Sequence, residues 1–254
     1  MKNKKMLSAI LILICLVGIV VGAYQIYKQL HEYDEGRDSY SELEDYVTLP
    51  EEPDESEQET QSDEIQEEQQ WPKIDFETLK EINPDIVGWM YIEGTEINYP
   101  IVQGQDNQYY LKHLFSGEWN SSGCLFLDAR NVADFSDWNN IIYGHHMKNG
   151  TMFSGLTEYK NQEFYDAHPT ILIMTPEQNF RVEVFAGYVA NVKDDAWKVD
   201  FGIDAEYENW QKSVKVRSCF DCESIPAVTD HIITFSTCSY EFDDARFVLH
   251  GIMR

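Results

Sequence analysis

Hydrophobic and polar positions follow three different rhythms along this chain. From Met6 to Tyr24 the positions are almost uniformly apolar (MLSAILILICLVGIVVGAY), a run long enough for a helix to cross a hydrocarbon layer of roughly 30 Å. Lys2, Lys4 and Lys5 precede it and Lys28 follows, an asymmetry that predicts an inside N-terminus and an outside C-terminus. The run exceeds an ordinary signal-peptide core and lacks an A-x-A-like cleavage site, which favours an uncleaved anchor over residues 1–31. Residues 32–70 are polar nearly throughout and predict a disordered, extended stalk, because too little apolar surface is available to offset the entropy of ordering.

Past Trp71 the pattern becomes that of a globular domain, residues 71–254. A short amphipathic helix is expected near Asp75–Ile82, stopped by Pro84. Apolar, β-branched runs then predict strands at Ile86–Ile92, Ile97–Val102, Cys124–Leu127, Asn140–Tyr143, Ile171–Met174, Arg181–Ala190, His231–Thr237 and Arg246–Ile252. Turn-rich segments such as EGTE, SGEWNSSG and TPEQN separate them. Eight short strands in one domain indicate a mainly β fold, a closed barrel or sandwich. Helical spacing fits Met152–Tyr159 and Asp204–Val216, the second with Asp204 as N-cap and Tyr207, Trp210 and Val214 on one face.

Charge excludes some partners. Residues 1–31 hold four lysines and no acid, residues 32–70 hold seventeen acids against the single Arg37, and residues 71–254 hold 28 acids against 14 bases. No basic patch is available for phosphate neutralisation, which argues against nucleic acid. The lipid bilayer is an expected partner only through residues 6–24. The five cysteines are scattered, one of them inside the apolar run, so no disulfide framework is indicated. Cys219 and Cys222 form a CFDC segment, but no second pair or βαβ setting accompanies it, and a structural or incidental role is expected.

Three segments could carry chemistry. Cys238 follows an apolar strand in HIITFSTCSYEF, held rigidly yet reachable, although an isolated cysteine is commonly a small buried hydrophobe. His145 follows another strand in NNIIYGHHMKNGTMF, where Gly144 relieves crowding; its neighbour His146 raises the idea of a metal site, but no carboxylate or thiol stands at ligand spacing and adjacent side chains diverge. Arg246 opens the strand after Cys238 and could return beside it across a hairpin.

Together YGHHM with its following NGTMF, then FSTC, then an arginine eight residues beyond the cysteine resemble the sortase family, specifically its class B. The resemblance runs from about Asp75 to Arg254 and includes IVGWMYIEGTEINYPIVQGQDNQYYLKH and GCLFLDARN. Phe235 stands where the family's T-L-x-T-C motif has leucine, a conservative departure. The resemblance implies an eight-stranded closed barrel with peripheral helices. It makes His145, Cys238 and Arg246 the catalytic residues, and Asn107, Leu111 and Ser236 contacts of a peptide groove walled also by the loop around Ala190–Gly202. It further implies transpeptidation of surface proteins bearing a C-terminal sorting signal onto a cell-wall peptide amine, without metal or organic cofactor. The rival expectations are a membrane-tethered cysteine protease, in which water releases the acyl group, and a non-catalytic binding module.

Overall fold

A computed structural model describes residues 2–50 and 71–254. Helix α1 (Lys2–Leu43) opens the chain, and its apolar part is long enough to cross a membrane and is not buried against the rest of the protein. Two short strands, β1 (Val47–Thr48) and β2 (Lys73–Ile74), pair antiparallel. Helix α2 (Phe76–Ile82) starts at Asp75, whose carboxylate accepts the Thr78 N–H at 3.1 Å, and it buries Leu79.

Part of the stalk expected over 32–70 is ordered helix instead. Residues 32–43 continue α1 and lie on the domain: Asn120 Nδ2 donates to the Glu32 carbonyl at 2.9 Å, Ser121 N donates to Glu32 Oε1 at 2.8 Å, and the Tyr40 hydroxyl donates to the Gly123 carbonyl. Tyr40 and Leu43 are buried. Asp34, Glu35, Asp38 and Glu42 face outward while Glu32, Gly36, Tyr40 and Leu43 recur at helical spacing on one face, a stripe that average composition conceals. Residues 51–70, the rest of the expected stalk, lie outside the described residues.

Eight strands close into a barrel: β3 (Ile86–Tyr91), β4 (Asn98–Val102), β5 (Leu125–Leu127), β6 (Asn139–Tyr143), β7 (Thr170–Met174), β8 (Asn179–Asn191), β9 (Ile232–Cys238) and β10 (Ala245–Met253). The order around the barrel is β10-β8-β7-β3-β4-β5-β6-β9. Two neighbouring pairs are parallel, β4 with β5 and β6 with β9, and the others antiparallel. The eight expected strands all appear, with ends shifted by a residue or two.

Alternation along the strands fills the barrel with side chains such as Met90, Ile101, Leu125 and Phe235. A second core lies outside it, where Phe185, Tyr188 and Val248 meet helix α4 (Asp204–Arg217) through Tyr207, Trp210 and Val214. Helix α3 (Gln162–Ala167) is short. Two local expectations change. Asp204 is the first helical residue rather than the cap; the N-cap is Ile203, and Glu206 Oε2 accepts the Gly202 N–H at 2.8 Å instead. Phe153–Lys160 is a run of 3-10 turns, entered through Met152 at φ 58°.

Candidate active site

The parallel seam between β6 and β9 sets the site. Their register runs to Tyr143 opposite Ser236, and Gly144 N donates to the Ser236 carbonyl at 3.1 Å. His145 and Cys238 therefore leave their strands two residues beyond one shared rung, at the same end of the barrel. On the other flank β10 runs antiparallel to β9 with Arg246 directly opposite Cys238. All three line one cavity of about 610 Å³. Close packing fixes the seam: a Cβ on Gly144 would lie 2.5 Å from Leu125 and 2.6 Å from Phe153, so only glycine fits as the chain turns outward.

His145 is held by a backbone group. Its Nε2 lies 2.7 Å from the Leu111 carbonyl oxygen. A carbonyl can only accept, so Nε2 carries the hydrogen of this contact and Nδ1 is the ring nitrogen outside it. Leu111 also lines the cavity. His146 turns elsewhere, edge-on to Tyr240; burial first, then the Lys160 ammonium, hold its pKa below the ordinary imidazole value. The two histidines thus diverge and share no ligand position. Arg246 donates from Nη1 to the Ala245 carbonyl at 2.9 Å, leaving other guanidinium donors for a ligand.

The segment 192–198 between β8 and α4 is the opposite wall, as expected of the loop around Ala190–Gly202, and it includes Trp197 and Lys198. Side chains tether it. Trp197 Nε1 donates to Ser236 Oγ at 3.1 Å, Arg130 Nη2 donates to the Trp197 carbonyl at 3.2 Å, and Asn139 Nδ2 donates to the Lys198 carbonyl at 2.9 Å. Asn139 is itself set by a buried chain: Thr234 Oγ1 donates to Asn139 Oδ1 at 2.6 Å and accepts from His250 Nδ1 at 2.8 Å. Burial, then the Arg217 charge, push the His250 pKa down to about 3, so the imidazole is neutral.

Asn107 Oδ1 accepts the Ala129 N–H at 2.8 Å beside a buried carboxylate, Asp128. Burial alone would raise the Asp128 pKa, but Arg130 and the Tyr143 hydroxyl at 2.8 Å outweigh it and hold it at about 2. Of the six residues singled out in the sequence, all line the cavity. Ser236 Oγ already receives the Trp197 indole, and Asn107 is braced on the β5 end. Asp128, Arg130, Asn139 and Trp197 were not singled out; a carboxylate two residues before an arginine at a strand end was the available signal.

The sortase domain family model matches residues 90–253. The chain belongs to the sortase family. Sortase B of Listeria monocytogenes is 39% identical over 175 residues, 68% of this chain and 71% of that protein. Sortase B of Staphylococcus aureus is 31% identical over 244 residues, 96% and 94% of the two chains. A crystal structure of Bacillus anthracis sortase B in complex with AAEK1 superposes with a TM-score of 0.73 at 30% identity, covering 88% of this chain and 98% of that one. Two further structures, an S. aureus sortase B-substrate complex and a sortase B complexed with triglycine, each have a TM-score of 0.67 and 35% identity over 70% of this chain, covering 84% and 85% of theirs. Sortases are cysteine transpeptidases, and this sortase is one of the B kind.

Proposed function

We propose that Cys238 is the nucleophile, His145 the proton shuttle and Arg246 the stabiliser of the developing oxyanion in cleavage of a C-terminal sorting signal of surface proteins. The observation that carries this reading is the register of three adjacent strands, β6, β9 and β10, which sets these side chains at one end of one cavity. A peptide bond is a poor electrophile, so its cleavage calls for a thiolate, a proton for the leaving amine and charge stabilisation at the carbonyl oxygen. Cys238 Sγ attacks the carbonyl carbon, the C–N bond breaks as His145 protonates the amine through Nδ1, and a thioester remains. A second amine, from cell-wall peptide, then gives up a proton to the same nitrogen and displaces the thiol. Arg246 donates hydrogen bonds to the carbonyl oxygen as it gains charge. Asn107, Leu111 and Ser236, with the Trp197 wall, hold the peptide. Residues 6–24 anchor the enzyme in the cell membrane of a Gram-positive bacterium, with the N-terminus inside and the catalytic domain outside. The triglycine and substrate complexes of related sortases B support an amine acceptor and a peptide donor.

The test is acyl capture. With a sorting peptide and the full chain, mass spectrometry is expected to show a thioester on Cys238 that Cys238→Ala lacks, and added glycyl amines are expected to raise turnover and appear in the product. Hydrolysed peptide alone, at every concentration of several amines, would establish a protease instead.

A further inference from the structure

Outside the cavity, a lysine and a cysteine meet with a geometry that ordinary packing does not call for. Lys215 lies in the last turn of α4, and the chain then turns back to bring Cys222 beneath it. Lys215 Nζ is 2.7 Å from Cys222 Sγ, 2.7 Å from the Cys222 carbonyl and 3.3 Å from the Phe185 carbonyl. The Cys222 thiol faces the same Phe185 carbonyl at 3.1 Å. The Tyr165 ring stacks on Phe220, two residues before Cys222, with centroids 4.4 Å apart. Lys160, Lys198 and Lys212 each pair with a glutamate, whereas Lys215 enters no ion pair among the described residues. Its nitrogen is aimed at sulfur, inside their van der Waals contact and at a separation that one bridging oxygen atom spans. Both residues are half-buried, so a small oxidant reaches them while β8 and α3 hold them in place.

We propose that Lys215 and Cys222 are an oxidative modification site, at which dioxygen or hydrogen peroxide joins the lysine nitrogen to the cysteine sulfur through one oxygen atom. With dioxygen, nitrogen and sulfur each give up two electrons. Two N–H bonds and the S–H bond break, and N–O and O–S bonds form. One hydrogen leaves to solvent as a proton from the ammonium, and the other two depart with the second oxygen atom as water. With hydrogen peroxide, two molecules are consumed and three waters are released along with that proton. The product fastens the end of α4 to the segment before β9. Because its sulfur stands at the sulfenate level, a dithiol reductant restores amine and thiol and releases the oxygen as water. Cys219, exposed three residues earlier, is the rival partner for Cys222.

Peptide mapping of the full chain after exposure to air or dilute peroxide tests this directly. The expected result is a species linking the Lys215 and Cys222 peptides, heavier than their sum by one oxygen less two hydrogens. It should persist in Cys219→Ser, be absent from Lys215→Arg and Cys222→Ser, and disappear with dithiothreitol. Its formation should raise the melting temperature of the wild type but not of Lys215→Arg. Three results would overturn the proposal: loss of two hydrogens mapping to a Cys219–Cys222 disulfide, whole oxygens on Cys222 equally in wild type and Lys215→Arg, or unmodified Lys215 and Cys222 peptides after peroxide.

Discussion

The two sides of the cavity are built by different means. On one side, His145, Cys238 and Arg246 stand on or just past three adjacent strands, and their placement follows from main-chain ladders. On the other, residues 192–198 lie beyond the end of β8, and side chains that include Asn139, Arg130, Trp197, Trp210 and Arg217 tie them down. Ladders fix the proposed reacting groups; side-chain hydrogen bonds set the wall. Variants of the seam should therefore act on kcat, whereas variants of the wall should act on KM.

The largest effect is expected at the histidines. His145→Ala should lower kcat by about 100-fold to 10,000-fold, the range for a lost general acid–base group, while His146→Ala retains substantial activity. Equal losses in the two variants, measured by steady-state turnover, would reverse the assignment. Gly144→Ala comes next: the added Cβ meets Leu125 and Phe153 and should cost about 1–3 kcal/mol by overpacking. Its kcat should fall more than its KM rises, readable from denaturant unfolding beside kinetics.

The wall variants are milder. Asn139→Ala leaves the Lys198 carbonyl and the Thr234 hydroxyl without their buried partner and should cost about 1–3 kcal/mol of stability, with KM raised and kcat of saturated enzyme little changed. A fall in kcat alone would break the contrast between the two sides. The smallest effect near neutral pH belongs to the Asp128 brace. Its folded-state pKa is depressed to about 2, so its stabilisation is complete above the unfolded value of about 3.9 and drains away as pH falls toward 2. Melting temperature should drop over that window in the wild type and less steeply in Asp128→Asn.

Much of this architecture was legible in the sequence, and the limits have physical causes. Strand runs such as Ile171–Met174 and Arg246–Ile252 announce themselves because buried barrel strands need branched apolar side chains. Parallel pairing of β6 with β9 does not, since nothing local to Asn139–Tyr143 names a partner ninety residues away. The same holds for the Leu111 carbonyl that sets His145: every residue has a carbonyl, so no letter marks it. Residues 32–43 mislead for the opposite reason, a strong compositional signal that hides the stripe of Glu32, Gly36, Tyr40 and Leu43. The wall depends on Asn139 and Trp197, whose buried hydrogen bonds go to or from groups far along the chain.

A barrel in which every strand has two neighbours exposes no row of unpaired amides, so an incoming polypeptide finds nothing to extend. An enzyme that handles extended peptide tails is thereby kept from binding them by strand addition, a mode that reads main chain and accepts many sequences. Recognition has to pass through side chains in the cavity. Under the proposed function, exchanging a few of those along 192–198 would redirect the choice of substrate while His145, Cys238 and Arg246 stay where the strands hold them.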